Sequence, residues 1–431
     1  MSIRSPNGPP NGKPPRRSSP ARPEQPASET GSSLFDHRID LAGSGSLDTR
    51  SLPAHGGVYL ITNRQDQPVL LSHARNLRRV VAARLSAPTP DQKTRRVDLS
   101  HVAGRIRWRD APSVFEALWL HRCAARQLYP RTYRKMIGFG PVWLLRVDPR
   151  ERFPRFTSVK TIDHDGVRRI GPFATRKHAE QWLRMLEDAF DLCRYHAVLE
   201  QAPHGQACAY YEMGRCAAPC DGTVSMATYR EAITAALDFS LGAHEPGLAR
   251  LRRAMQAAAG ELAFERAASL RRTIDHATEL AARAEYRHLC DVRAGGWLTI
   301  QQAGPARRSE RKTLVRPFAV AGGRIEALDE PVSLVDLADR VPTWLEQGRR
   351  VFAASRGASG PAVSADDAAA CSELLWLVAR FLFRDEPSSE LFFRSDRLPC
   401  EKDLTAAIRM KWRSRTTTED SSHRKQTESA S

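Results

Sequence analysis

Four cysteines, Cys193, Cys208, Cys216 and Cys220, gather just ahead of a long helical stretch, and the last three are spaced C-x7-C-x3-C. Spacings this short bring sulfurs together at little loop-closure cost, and Pro219 restricts the backbone that approaches Cys220. Four thiolates suit tetrahedral zinc or an iron–sulfur cluster, and spacing alone does not separate the two. Unligated buried cysteines are the third reading. Cys123, Cys290, Cys371 and Cys400 stand apart and read as core residues. The beginning of the chain lacks the apolar segment of a secretory signal. No apolar run reaches the roughly 20 residues that span a bilayer, so no membrane partner is expected. The thiols are therefore expected to be reduced, in a cytoplasmic setting.

A chain of 431 residues has room for two or three cores. Its formal net charge of +17 favours a polyanionic partner through long-range attraction and counterion release. A basic solvated surface is the plain alternative. Residues 1–53, rich in Pro, Ser and Arg, cannot bury enough apolar area to offset their ordering entropy and read as a disordered tail; residues 406–431 read likewise.

Between the tails the pattern predicts a multidomain α/β (α+β) chain. In 54–135, Gly57 to Thr62 and Pro68 to Leu71 read as paired strands. A helix follows with Leu77, Val81 and Leu85 on one face, then a strand alternating from Arg105 to Arg109, then a helix capped by Ser113. The segment 136–240 reads as strands, a helix and the cysteine region. Over 245–283 the apolar spacing, broken near Gly260, predicts a helical hairpin. The segment 290–405 reads as a further α/β region of unassigned role.

Several strings fall in one order. They are Gly57-Val58-Tyr59, His73-Ala74-Arg75-Asn76-Leu77-Arg78, Glu116-Ala117-Leu118-Trp119-Leu120, Arg169 to Phe173, the cysteines, and Phe264-Glu265-Arg266-Ala267-Ala268. Collinear, they resemble the UvrC family of bacterial nucleotide-excision repair over about residues 56–283. The resemblance implies a GIY-YIG type nuclease module working with one divalent Mg²⁺ or Mn²⁺, and it favours a [4Fe–4S] cluster over zinc at the cysteines. It also implies a helical hairpin that pairs with a UvrB-like helicase through Phe264, Glu265, Arg266, Ala267, Ala268, Leu270 and Arg271. Beyond residue 283 neither an RNase H-like nuclease nor helix-hairpin-helix motifs can be found, so within this resemblance a truncated, Cho-like length is expected.

The chemistry departs from that family pattern. Tyr59 keeps the first motif tyrosine, but the second motif's tyrosine and glycine fall at Leu70 and Ser72. The helix arginine falls at Val80 and the metal-binding glutamate at His121. A leucine relays no proton, a valine stabilises no growing phosphoryl charge, and neutral imidazole is a poor Mg²⁺ ligand. Arg84, one helical turn beyond Val80, is a conceivable substitute; Glu116, about 140° around an ideal helix from His121, is not. The expectation is an impaired nuclease that still holds DNA phosphates through Arg75, Arg78, Arg79, Arg105, Arg107, Arg109, Arg122 and Arg126. Two alternatives stay open. One is an active short endonuclease making a single incision with relocated residues, and the other is an iron–sulfur redox sensor that binds nucleic acid.

Overall fold

A four-stranded antiparallel sheet opens the described part of the chain, in the order β1 (His37–Asp40), β4 (Arg105–Asp110), β2 (Gly57–Thr62), β3 (Pro68–Ala74). The computed structural model describes residues 34–41, 49–86, 97–163, 165–303, 313–357, 365–384 and 390–412. Strand β2 is central and buried along its whole length. A Cβ on Gly57 would sit 2.5 Å from the Arg109 carbonyl and 2.6 Å from Leu77, so only glycine lets β2 start this close to its neighbours.

The two helices of this N-terminal module cover opposite faces of the sheet. α1 (Leu77–Arg84) starts where the Asn76 side chain accepts from the Arg79 amide, and its Leu77 and Val81 pack with Tyr59, Ile61, Ile106 and Trp108. α2 (Val114–Leu128) starts where the Ser113 hydroxyl accepts from the Glu116 amide at 3.1 Å, as its sequence predicts. Its Ala124 and Ala125 pack on Val58, Leu60 and Leu71, closed at one end by Tyr133 of α3 (Tyr133–Met136).

The middle unit carries a sheet in the order β6 (Thr157–Val159), β5 (Trp143–Val147), β7 (Arg168–Phe173), β8 (Cys290–Asp291). Helix α4 (Arg176–Ala189) lies against it and buries Trp182, Met185 and Leu186. Two single-turn helices, α5 (His196–Leu199) and α6 (Ala209–Glu212), shape the cysteine loop, and α7 (Met226–Ser240) adds Tyr229, Ile233 and Phe239 to the core.

The predicted hairpin is α8 (His244–Gly260) and α9 (Phe264–Ala282), turning at Leu262, whose φ of 60° is unusual for a branched residue. Its base is part of the middle core through Leu248, Leu251, Ile274, Ala277 and Leu280. Its tip projects, with Leu262 72% and Phe264 67% exposed.

The C-terminal unit is a sheet in the order β11 (Arg324–Ala327), β10 (Leu314–Ala321), β9 (Gly296–Ala303), β13 (Glu390–Arg394), with β12 (Val332–Ser333) added to β10. One face packs on α10 (Leu337–Gly357) and on α12 (401–412) through Trp344, Phe352, Leu404, Ile408 and Trp412. The other face packs on α11 (Ala365–Leu382), on Phe115 of α2 and on Leu144 of β5, so all three units share one core.

Two expectations need correction. The N-terminal tail is not structureless to residue 53, because His37–Asp40 pairs along β4 from His37 opposite Trp108 to Asp40 opposite Arg105. The C-terminal tail does not begin at 406, because α12 runs to 412 and buries Ile408 and Trp412. Residues 1–33, 42–48 and 413–431, which carry the rest of the two expected tails, lie outside the described residues.

Candidate functional site

Alternation along β2 and β3 decides where each motif position points. Tyr59 stands opposite Ser72 on one side and Trp108 on the other, and Ile61 stands opposite Leu70. Tyr59, Leu70 and Val80 thus belong to one apolar cluster beneath α1. Tyr59 is fully buried there, and its hydroxyl has no hydrogen-bond partner among the described residues. His121 lies across the sheet, on α2, its ring 5.1 Å from that of His73. Burial, aided by the neighbouring His73, lowers its pKa to about 4, so at neutral pH it is an uncharged imidazole. Of the substituted positions, Leu70 and Val80 thus surround Tyr59 with apolar side chains while His121 lies on the other face, and no guanidinium hydrogen-bonds to the Tyr59 hydroxyl among the described residues.

Glu116 also turns away from Tyr59. It is buried and pairs with Arg316 of β10, while its second oxygen has no partner among the described residues. Burial pushes its carboxyl up to about 7 despite that guanidinium.

The eight arginines split into three groups. Arg105, Arg107 and Arg109 line β4 but meet carboxylates: Arg105 pairs with Asp40 and, at 3.0 Å, with Asp66; Arg107 reaches Asp66 at 2.6 Å and Arg109 reaches Asp36 at 3.4 Å. Arg78 and Arg122 brace the fold. Arg78 donates to the Leu52 carbonyl at 2.8 Å, and Arg122 makes two bonds of 2.8 and 2.6 Å to Glu373 of α11. Arg75, between β3 and α1, and Arg79 of α1 are exposed, and Arg126 is half-buried on the last turn of α2. Exposed ion pairs such as those of β4 are worth little and can be exchanged for phosphate. Arg79 on α1 and Arg126 on α2 belong to helices on opposite faces of the sheet, so the eight arginines do not form one continuous surface.

At the cysteines, one backbone bond and one bond from the Arg194 guanidinium hold the segment at 191–194 against the segment at 215–217. The Ala217 amide donates to the Asp191 carbonyl at 3.3 Å, and Arg194 donates to the Arg215 carbonyl at 2.8 Å. The Cys193 thiol donates to the Tyr195 carbonyl at 3.4 Å, and its interaction with the neighbouring Cys216 thiol holds Cys216 below the usual thiol range and Cys193 above it. The charge of Cys216 also raises the neighbouring Cys220, after burial. Cys220 sits where its carbonyl accepts from Gly205 at 2.8 Å, and Cys208 begins the single turn α6. Soft sulfur donors gathered in one short loop fit a thiolate-bound metal group in chemistry, and Cys193, Cys216 and Cys220 are already close enough to feel one another's charge. Among the described residues, no group of three or more His, Cys, Asp or Glu side chains is arranged to hold a metal ion.

On the hairpin, Phe264, Glu265, Arg266, Ala268 and Arg271 are exposed, while Ala267 and Leu270 face the α8 side and are half-buried. The site missed from sequence is the carboxylate of Glu373, which is buried and gathers Arg122, Arg134 at 3.0 Å and the Tyr133 hydroxyl at 2.5 Å. Its only signal was one acid inside the apolar run Cys371-Ser372-Glu373-Leu374-Leu375-Trp376. Among the described residues, no helix is long and apolar enough to cross a membrane.

Residues 142–239 match the UvrC/Cho excinuclease middle domain. A UvrABC system protein C of Trichlorobacter lovleyi is 31% identical over 52% of this chain and 36% of the relative's own length. The protein of the same name from Moorella thermoacetica is 30% identical over 51% of this chain and 35% of its own. That of Frankia casuarinae is 29% identical over 73% of this chain and 44% of its own. The matches thus span about a third to under half of the length of these curated relatives. No solved structure matches. With a middle domain of the UvrC/Cho type flanked by matching sequence over about half its length, this chain is a UvrC-like protein.

Proposed function

We propose that this UvrC-like chain serves nucleotide-excision repair by binding DNA and a UvrB-like helicase, with an N-terminal GIY-YIG-like module that holds DNA but does not hydrolyse it. The observation that carries this reading is the burial of Tyr59. Its hydroxyl lies in an apolar cluster without a partner, and the imidazole at the family's metal position lies on the opposite face of the sheet. Hydrolysis needs a cation to offset charge on the phosphoryl oxygens and a hard oxygen ligand to fix the metal beside them. Leucine, valine and neutral histidine supply neither.

The exposed tip of the hairpin is the surface assigned to the helicase, with Phe264 as the apolar anchor and the small, exposed Ala268 permitting close helix approach. The four cysteines are assigned as holders of an iron–sulfur cluster, with zinc as the alternative. Such a group would fasten the loop between α4 and α7.

Incubation with UvrB and lesion-bearing duplex, with Mg²⁺ or Mn²⁺, tests the reading. The expected outcome is a complex without incision, lost on Phe264→Ala. Incision that disappears with Tyr59→Phe would overturn the non-hydrolytic assignment. Iron and sulfide analysis of anaerobically purified protein tests the cluster.

A further inference from the structure

His37, His55 and Asp110 meet at one end of the N-terminal sheet, and none of them belongs to the apolar cluster around Tyr59 or to the cysteine loop. The backbone holds each in place. His37 opens β1 opposite Trp108 and stacks on that indole, with ring centroids 5.2 Å apart. His55 precedes β2, and its carbonyl accepts from the Leu77 amide at 2.9 Å, at the start of α1. Asp110 ends β4 opposite Gly57. The Nε2 atoms of His37 and His55 each lie 3.7 Å from the same oxygen, Asp110 Oδ2. The other oxygen of that carboxylate, Oδ1, is buried and has no hydrogen-bond partner among the described residues.

The tautomer of His55 sharpens the picture. Its Nδ1 is 3.1 Å from the Gly56 carbonyl, which can only accept, so this contact puts the ring proton on Nδ1. The neutral ring then presents its Nε2 lone pair to a carboxylate oxygen, acceptor against acceptor. Only a positive charge between them makes that arrangement favourable. A ring N–H given to a backbone carbonyl is also how ligating histidines are usually oriented. Distance agrees. A tetrahedral zinc ion, about 2.0–2.2 Å from each donor, sets nitrogen and oxygen about 3.4 Å apart, so the two separations are about 0.3 Å too wide. As they stand, no three such side chains enclose an ion among the described residues. The side chains of His37 and Asp110 are 49% and 41% exposed, so rotation at the surface closes a gap of that size.

We propose that His37, His55 and Asp110 form a zinc site, in which the ion takes Nε2 of both rings and the Asp110 carboxylate and leaves its fourth position to water. Two imidazoles and one carboxylate suit this borderline ion, whereas Mg²⁺ prefers an all-oxygen shell. The ion would strap β1, an edge strand of four residues, and the segment before β2 onto the end of β4. No cysteine and no partner enters the site, so it stands apart from the cluster and helicase assignments.

Untagged full-length protein is first assayed for metal, so that whatever the cysteines hold is counted. Calorimetric titration with Zn²⁺, the free ion held low by a chelating buffer, then measures further uptake. One additional equivalent is expected for the parent and none for His55→Gln or Asp110→Asn, while the metal already counted stays the same in all three. Zinc should also raise the urea midpoint of the parent, because it binds only the folded state, and leave that of Asp110→Asn unmoved. Mg²⁺ at the same concentration should do neither. His37→Gln alters the most exposed of the three side chains and decides the matter if either other variant fails to fold; it too must lose the extra equivalent. Equal zinc uptake by the parent and these variants overturns the proposal. So does a parent that takes up no further zinc, which would leave a proton as the charge between the rings and the carboxylate.

Discussion

At Tyr59 and Glu116 the protein buries polar atoms that have no partner, and each burial has a measurable sign. The Tyr59 hydroxyl gains nothing from its surroundings and has lost its water, a cost on the order of 1–3 kcal/mol. Tyr59→Phe is therefore expected to leave the urea midpoint unchanged or to raise it; a large loss would mean that the hydroxyl has a partner in solution. Glu116 is coupled to pH. Its folded pKa of about 7 lies above the value of 4.5 it has when unfolded. Between these values the folded state binds the proton more tightly, so stability from this group is complete below about 4.5 and declines as pH rises towards 7. The loss is on the order of 3 kcal/mol, about one pKa unit per 1.4 kcal/mol. Glu116→Gln stays neutral throughout, and a denaturation series from pH 4.5 to 8 should be flatter for this variant than for the parent. An unchanged slope would mean that Arg316 fully compensates the charge.

Among the elements, what could be read in advance were those whose signal is local. Asn76 and Ser113 cap α1 and α2 because a short polar side chain before an apolar helix face is a start signal, and both side chains accept the expected amide. The hairpin was legible from its apolar spacing. β1 was not, because four residues, His-Arg-Ile-Asp, carry no alternating pattern long enough to stand out, and the strand exists only through its register with β4. The candidate site failed in the same way. Motif spacing orders Tyr59, Val80 and His121 along the chain but is silent on which face of the sheet α2 covers, and the carboxylates meeting the β4 arginines come from distant segments. The hairpin yields an element-scale prediction. Ile274, buried at its base, is expected to cost about 2–4 kcal/mol as Ile274→Ala. Phe264→Ala at the exposed tip should stay within roughly 0.5 kcal/mol of the parent by the same denaturation, while abolishing helicase binding. Equal losses for the two would mean that the tip is packed rather than presented.

Across the whole molecule, α2 is the part that joins the N-terminal module to everything else. Phe115 enters the core beneath the C-terminal sheet, with ring centroids 5.6 Å from Phe318 and 5.4 Å from Phe381. Arg122 and Glu116 make ion pairs to α11 and β10 on either side of it. The strongest of these ties is at Glu373, whose side chain is 1% exposed and whose partner Arg122 is 11% exposed. Burial alone would raise its pKa, yet hydrogen bonds from Tyr133 and Arg122 bring it below the ordinary carboxylate value. Removing one partner of a buried pair leaves the other charged and dry, which costs about 3–5 kcal/mol, whereas replacing both by apolar groups is often neutral. Glu373→Ala is thus expected to lose about that amount, and the double variant Arg122→Met with Glu373→Met should lose clearly less than the single one. Arg134, half out of the protein, can turn to water in either case. Urea titrations followed both by tryptophan fluorescence and by far-ultraviolet circular dichroism measure the two losses and show whether the module still unfolds with the rest. Because the core beneath α2 is shared, the parent should unfold in a single coincident transition, and a module that melts first in Glu373→Ala would mark this carboxylate as the main tie between the N-terminal module and the C-terminal unit.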